Sequence, residues 1–153
     1  MAKFKYRMQN ILNIKISMEE QAKLQYAQAN RRLMEEEEKL ELLRKKKEQY
    51  ELHAKELLSE NLNILDITEN NRAIQMTGEE IKAQILQVKR AEEVAEKARQ
   101  RMTGFMQERK THEKLKEKAF EQFLQEEKQR ESKEIDELTS YTYGQRIAES
   151  ENT

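Results

Sequence analysis

Residues 26–57 read YAQANRRLMEEEEKLELLRKKKEQYELHAKEL, and the spacing of their apolar side chains decides the fold. Ten positions of this stretch follow one another at alternating intervals of three and four residues, and eight of them are apolar. This is the a/d pattern of a coiled coil. Towards the N-terminus the register passes through Ala22, Leu12 and Met8, with Lys15 and Glu19 as polar interruptions. The stretch predicts one long helix with a single seam, formed by Tyr26, Ala29, Leu33, Glu36, Leu40, Leu43, Lys47, Tyr50, Ala54 and Leu57.

A second seam of the same kind lies in the C-terminal half and is apolar at eight of eleven positions. Its positions are Val88, Ala91, Ala95, Ala98, Met102, Phe105, Arg109, His112, Lys116, Ala119 and Phe123. Because the polar members follow one another and Leu115 stands beside Lys116, we expect a register slip at that point. Gly144 favours an end of the helix near residue 143, since glycine adopts the left-handed conformation that often follows a helix.

The composition contains little that would interrupt these helices. The 153 residues include no proline and three glycines, and a proline inside a helix costs roughly 3 kcal/mol. Charged residues make up 39% of the chain and apolar residues 36%, a balance typical of long solvated helices. The chain therefore does not have the composition of a compact globule with a large layered core.

Together these patterns predict an all-α fold, with two long helices forming an antiparallel coiled-coil hairpin in a single domain over residues 1–153. We expect helix 1 at about 4–59, a turn at about 59–67, helix 2 at about 67–143 with an irregularity near Gly78, and a disordered tail at about 145–153. The two seams are separated by asparagines and by two capping boxes, which begin at Asp66 and Thr77.

A turn centred near residue 63 would place Phe4 opposite Phe123, Ala29 opposite Ala98 and Leu40 opposite Val88. This alignment pairs aromatic with aromatic residues and small with small ones. Residues beyond about 126 then have no partner on the first helix, so helix 2 overhangs.

Several function classes fit the composition poorly. The net charge is −1 with acids and bases interspersed, which argues against a nucleic-acid-binding face, and no apolar run approaches the ~20 residues of a membrane span. Because the chain has no cysteine, disulfides, thiolate zinc sites and a cysteine nucleophile are excluded. His112 opens a sequence resembling a zinc-protease motif, but Lys116 occupies the second ligand position. We expect a cytoplasmic protein that is not an enzyme, with no catalytic, metal or cofactor-binding residues.

Some apolar residues do not all fit a two-stranded seam. They either widen the buried stripe of the hairpin or form a surface for a partner protein. The predicted overhang raises the same question, because it has no partner within the chain and either frays or binds something. The off-seam residues are Ile11, Ile14, Leu42, Leu58, Phe120 and Leu124, and those of the overhang are Ile135, Leu138 and Tyr141.

Three segments resemble a known family. Residues 4–15 (FKYRMQNILNIK) and 19–23 (EEQAK) resemble the opening of FliJ, a component of the bacterial flagellar type III export apparatus. Residues 129–138 (QRESKEIDEL) resemble the C-terminal segment of that family in Gram-positive bacteria. The likeness extends over essentially the whole chain, including its length and hairpin arrangement.

The resemblance implies a hairpin similar to the central stalk of rotary ATPases, whose joined ends project into the hexamer of the flagellar export ATPase. It further implies contacts with the membrane export-gate protein and with export chaperones. The protein would then lie at the cytoplasmic face of the cell membrane, peripherally and through its partners, and would serve flagellum assembly and motility.

The resemblance also implies two sets of partner-binding residues. Leu43 and Tyr50 match the family's gate-binding surface, whereas Lys39, Lys46, Ala73 and Thr77 fall where better studied members carry other residue types. For the ATPase ring the set is Phe4, Ile11, Phe120, Leu124, Ile135, Leu138 and Tyr141.

Two other readings remain. A generic cytoplasmic coiled-coil scaffold or adaptor unrelated to secretion fits the composition and heptads equally well. A binder of RNA or of a membrane surface would need a one-sided basic face, which the intermixed acids argue against.

Overall fold

The computed structural model describes residues 2–59 and 63–152 of the chain. These residues form two helices, α1 (Gln9–Ser59) and α2 (Ile64–Glu151), and no strand occurs among them. The predicted all-α antiparallel coiled-coil hairpin with an overhanging C-terminal helix is thereby confirmed. Within the same residues, neither helix contains a stretch apolar and long enough to cross a membrane.

The start of each helix is fixed by short-range hydrogen bonds. Before α1 a turn forms, in which the Gln9 amide donates to the Tyr6 carbonyl at 3.1 Å. Before α2 the Asn63 side-chain oxygen accepts a hydrogen bond from the Leu65 amide at 3.1 Å, and the Asn63 carbonyl accepts the Ile67 amide. Asn63 is therefore the N-cap of α2, a role that the sequence had suggested for Asp66 or Thr77.

The helix bounds differ from the prediction at three points. Helix α1 begins at Gln9 rather than near residue 4, whereas α2 begins at Ile64 rather than near 67 and ends at Glu151 rather than near 143. Residues 60–62 of the expected turn lie outside the described residues. Gly78 and Gly144 are both helical, and neither has a positive φ. A helical glycine costs about 1 kcal/mol relative to alanine, which good helix formers on either side outweigh.

The chain contains two compact units, and its description as a single domain over residues 1–153 stays a prediction. The mid-chain unit comprises Met18–Phe105, and the terminal unit comprises Met1–Ser17 with Met106–Thr153. Each unit contains a segment of α1 and a segment of α2.

The core of the mid-chain unit follows the predicted seams. Its buried apolar residues are mostly alanines, which allow two helices to approach closely, and its buried polar residues occupy seam positions too. Asn70 and Thr77 extend the second seam in steps of one heptad from Gln84. The buried residues of this unit are Glu19, Ala22, Ala29, Glu36, Leu40, Asn70, Thr77, Val88, Ala91 and Ala95.

Hydrogen bonds from side chains on α2 to the backbone of α1 set the helix register in this unit. The Gln84 amide donates to the Glu36 carbonyl at 2.9 Å and to the Glu36 carboxylate at 2.6 Å. The Asn70 amide donates to the Tyr50 carbonyl at 2.9 Å. In this unit the observed pairing of α1 with α2 is therefore shifted by about one heptad from the predicted pairing. After a shift of one whole heptad the seam positions of one helix again face seam positions of the other. The apolar pattern alone therefore does not distinguish the two registers.

The terminal unit is held by aromatic and charged contacts. The Phe4 ring lies 5.2 Å from the Phe120 ring and 5.4 Å from that of Phe123, which confirms the predicted pairing of Phe4 with Phe123. The Lys15 ammonium meets the Glu108 carboxylate at 2.8 Å. The expected register slip does not occur, because Lys116 keeps a half-buried seam position and Leu115 is exposed. A lysine suits such a place, since its methylene stem packs while its charge remains in solvent.

Candidate protein-binding surfaces

The C-terminal part of α2 carries an uncovered apolar stripe. From residue 128 to 152 every side chain is exposed, and we call the helical part of this segment, 128–151, the overhang. Ile135, Leu138 and Tyr141 are 62%, 66% and 66% exposed. At the α-helical rotation per residue these three side chains fall within about 120° of arc, and we call them the overhang stripe.

The overhang presents two further large side chains that sequence reasoning missed. Tyr143 and Ile147 are both exposed, and Ile147 lies within the segment that had been expected to be disordered. Helix formation past Gly144 brings them into place, since the segment contains no proline and includes Gln145, Arg146 and Ala148. The Gln145 amide also donates to the Tyr141 hydroxyl at 3.0 Å, which joins consecutive turns across Gly144.

Charge on the overhang is concentrated beside the stripe. Between residues 131 and 137 four carboxylates stand against one lysine. Glu134 and Glu137 line a shallow depression together with Leu138 and Tyr141. The overhang stripe is thus an exposed apolar surface with carboxylates among and beside its side chains.

A second open surface of the terminal unit is an apolar groove between its two chain segments. The groove has a volume of about 580 Å³, and Phe120, at 44% exposure, stands at its wall. We call it the terminal groove. It is lined by Phe4, Gln9, Leu12, Ile16, Glu113, Lys116, Glu117 and Phe120.

The residues predicted to contact an ATPase ring are only partly brought together. Phe4 and Phe120 touch each other in the terminal groove. Ile11 and Leu124 are exposed without lining it. All six off-seam apolar residues of the sequence analysis are exposed, so they do not widen the buried stripe. Leu12 and Ile16 also line the groove. Leu12 had been predicted as a seam position, whereas only its neighbour Lys15 on the seam had pointed to Ile16.

The seam beside the terminal groove is unusually polar. The Arg109 guanidinium binds both oxygens of the Glu113 carboxylate at 2.9 and 3.0 Å. Among the described residues, the buried Tyr6 hydroxyl and His112 Nδ1 have no hydrogen-bond partner. This unit therefore replaces much of the apolar seam with charges and leaves some buried polar atoms unsatisfied, which weakens its packing.

The two residues predicted to contact an export gate lie in the mid-chain unit. Leu43 and Tyr50 occupy seam positions and are half-buried, and the Tyr50 carbonyl accepts the hydrogen bond from Asn70. The neighbouring Leu42 is 59% exposed and offers more free apolar surface than Leu43. The gate assignment remains a prediction.

Glu36 is a charged group within the core of the mid-chain unit. It is buried, and its carboxylate also meets Arg32 at 3.2 Å and Lys39 at 3.7 Å. The hydrogen bond from Gln84 holds the pKa of the Glu36 carboxyl below its usual value, with Lys39 and Arg32 acting in the same direction and desolvation opposing them. The charged form of Glu36 is therefore the one that fits this position.

Neither histidine is placed in a metal-binding group. His53 is exposed, with Nδ1 at 3.7 Å from a Glu56 carboxylate oxygen. Among the described residues there is no group of three or more His, Cys, Asp or Glu side chains that could hold a metal ion. The notable surfaces of the molecule are thus the overhang stripe and the terminal groove, both of which suit protein partners.

Comparison with known proteins gives one match. A family model described as flagellar FliJ protein matches residues 4–148 of the chain. No curated protein and no solved structure matches it.

Proposed function

We infer that this chain, which belongs to the FliJ family of flagellar proteins, acts as a stalk that activates the flagellar export ATPase. Family membership makes it a component of the flagellar export apparatus. The observation that supports the stalk role is the overhang, a helix without proline whose side chains are all exposed and which carries the overhang stripe on one of its faces.

A stalk of this kind works because it makes different contacts with otherwise equivalent subunits of the ring. A single helix presents Ile135, Leu138 and Tyr141 on one side and mostly polar side chains on the other, so equivalent ring subunits around it meet different surfaces. Each contact can shift a subunit only by the difference in its affinity for that subunit's conformations. Six subunits around one asymmetric helix are thereby biased towards different conformations. In this proposal the ring supplies the catalytic groups, and the chain itself is not an enzyme and needs no cofactor.

The remaining partners follow from the family. We propose that Leu43, Tyr50 and nearby exposed residues of the mid-chain unit contact the export-gate membrane protein, and that the hairpin also binds flagellar export chaperones. The protein would then work in the cytoplasm and peripherally at the cytoplasmic face of the cell membrane. Its surface is not proposed to bind nucleic acid.

The direct test measures ATP hydrolysis by the purified export ATPase with and without the full chain. We expect co-purification of the two proteins and stimulated hydrolysis, and both should be reduced when residues 127–153 are removed. The double substitution Leu138→Glu and Tyr141→Glu should have the same effect without shortening the helix, because both side chains are exposed.

A matched control is Met34→Glu, which changes a 69% exposed apolar residue in the mid-chain unit. It should leave stimulation unchanged. If the intact chain neither binds the ATPase nor alters its rate, the stalk role is wrong and the generic scaffold reading gains support.

A further inference from the structure

The mid-chain unit has a small depression beside its closed seam. The depression has a volume of about 180 Å³, and Ala29 and Ala91, which line it, are both buried. Arg32 and Arg90 line it from the two helices, and Val94, another lining residue, is 59% exposed. A void of about 150 Å³ accommodates benzene, so this depression has room for one apolar side chain.

The residues around the depression identify one side of this unit by their heptad positions. Leu33 and Val88 are a positions of their seams. Arg32 and Val94 are then g positions, and Arg90 is a c position. Residues seven apart lie on the same side of a helix with a heptad pattern, so the other g and c positions share this side. We call it the basic side, because over residues 30–46 and 80–101 it carries six exposed cations: Arg32, Lys39, Lys46, Arg90, Lys97 and Arg101.

Cations outnumber carboxylates on the basic side but not on the opposite side of the seam. The exposed carboxylates of the basic side are those of Glu35 and Glu80. The Glu36 carboxylate is buried and is already held by Arg32 and Lys39. The e and b positions of the same two ranges, which form the opposite side, carry four carboxylates and four cations. Charges that are intermixed along the sequence are thus sorted by the fold into one basic and one balanced side.

The six cations form a line along the mid-chain unit. Because the helices are antiparallel and Ala29 and Ala91 share the depression, the α2 cations extend from it towards the start of α1 and the α1 cations towards the end of α1. From Arg101 to Lys46 the line spans roughly 27 residues of helix, or about 40 Å. Within each helix the cations stand mostly seven residues apart, which is about 10 Å. A third helix with a heptad repeat presents equivalent side chains at that spacing, whereas a nucleic-acid strand presents a phosphate about every 3.4 Å.

We propose that the basic side binds a helix of a partner protein that carries carboxylates and apolar residues at heptad spacing. An apolar side chain of that helix enters the depression beside Ala29 and Ala91, and its carboxylates meet cations on both sides of the depression, such as Arg90 and Lys46. Arg90 is exposed and forms no ion pair with the other described residues, so its guanidinium is available to a carboxylate, which it can bind through two hydrogen bonds. Charge complementarity thus selects an acidic helix, and this contact is separate from the proposed stalk role.

The test measures the binding of labelled peptides to the full chain by fluorescence anisotropy. The probe is a synthetic, alanine-based helical peptide of four heptads, with one leucine in each heptad and a glutamate four residues after each leucine. We expect it to bind with an affinity that falls as salt is raised, because the charges at the contact are screened. A peptide with lysine in place of glutamate should not bind. A peptide with alanine in place of leucine should bind more weakly than the probe, since it leaves the depression empty.

Charge reversal in the chain locates the contact. Arg90→Glu with Lys97→Glu should raise the dissociation constant of the acidic peptide by roughly tenfold or more, since two attractions become repulsions. The matched control is Arg44→Glu with Lys89→Glu, which reverses two exposed cations of the opposite side and changes the net charge equally. It should raise the dissociation constant by less than about threefold, because screened charges on the far side contribute little. Circular dichroism checks that each variant keeps its helices, and Arg90→Gln with Lys97→Gln should give an intermediate loss of binding.

Several outcomes would overturn the proposal. An acidic peptide that fails to bind, or an equal loss in both charge-reversal variants, would show that the basic side is not its site. A mixed-sequence RNA that binds more tightly than the acidic peptide would make nucleic acid the occupant. Self-association of the full chain that is abolished by Arg90→Glu with Lys97→Glu would make a second copy the occupant. These measurements contain no ATPase, so their outcome is independent of whether the stalk role holds.

Discussion

The mid-chain unit and the terminal unit share the same heptad pattern, but they differ in how completely their seams are packed. In the mid-chain unit the seam is closed, with buried alanines and with side-chain amides of Asn70 and Gln84 bonded to the backbone of α1. Among the described residues of the terminal unit, Leu12 alone of the apolar seam is buried, the central seam residues are polar, and a groove remains open. Heptad spacing thus predicts where a helix can pack, and the residue types decide whether its own chain completes the packing.

The largest difference between the two regions should appear when one leucine in each is shortened. Leu40→Ala removes a side chain that is 8% exposed, and the lost burial and the remaining cavity should lower the free energy of unfolding by about 2–4 kcal/mol. Leu138→Ala, at 66% exposure, should change it by less than about 0.5 kcal/mol. Urea denaturation followed by circular dichroism measures both. Equal losses would mean that the overhang is packed in solution.

The second prediction concerns the bonds that set the register of the mid-chain unit. Asn70→Ala removes the donor to the Tyr50 carbonyl and should cost about 1–2 kcal/mol of unfolding free energy. It should also loosen the register. Because the chain has no cysteine, introduced pairs report the alignment without background.

Ala29 and Ala91 line one cavity, so the pair Ala29→Cys and Ala91→Cys should form a disulfide readily in the otherwise unaltered chain. The pair Ala29→Cys and Ala98→Cys tests the alternative alignment and should gain yield only when Asn70→Ala is added. A higher yield for this second pair in the otherwise unaltered chain would contradict the register.

The charge on Glu36 should have a smaller effect on the free energy of unfolding, and this effect should depend on pH. Its pKa is lowered in the folded state, so its carboxylate contributes stability that is present above about pH 4.5, the ordinary value, and is lost as the pH falls through the folded pKa. Between pH 7 and pH 3 the unaltered chain should therefore lose more unfolding free energy than Glu36→Gln does. Urea titrations at several pH values measure this, with the exposed Glu38→Gln as the control. Parallel curves for all three chains would show that Glu36 is not coupled to folding.

The sequence alone was sufficient to predict the repeating feature of this fold, which is the heptad seam of each helix. The predicted positions of both seams are buried or half-buried, including the polar members Glu19 and Lys15, because burial follows helical periodicity. The exception is Met8, which is exposed and precedes α1, and the seam's extension through Asn70 and Thr77 was not predicted. The register between the two helices could not be predicted from the sequence. A shift of one heptad pairs Ala29 with Ala91 instead of Ala98, and both pairings join small residues. The bonds from Asn70 and Gln84 that separate the two registers depend on side-chain geometry, which the pattern does not contain.

The candidate surfaces were predictable to different degrees. The exposure of Ile135, Leu138 and Tyr141 followed from counting residues beyond the end of the first seam. The terminal groove did not, because it depends on the non-helical path of residues 2–6, which brings Phe4 onto Phe120. Local propensity gave no sign that α1 would begin only at Gln9.

The smallest predicted effect tests why the overhang extends beyond its expected end. Gly144 lies inside α2 with a negative φ, and a Cβ built there meets nothing within 4 Å. Gly144→Ala should therefore stabilise the last turns locally by up to about 1 kcal/mol and leave global unfolding unchanged, because alanine loses less backbone entropy in a helix. Slower amide exchange at residues 145–151 would show the effect. If α2 instead ended at a left-handed glycine, the added Cβ would be strained and exchange would become faster, so the sign of the change distinguishes a continuous overhang from one that stops at Tyr143.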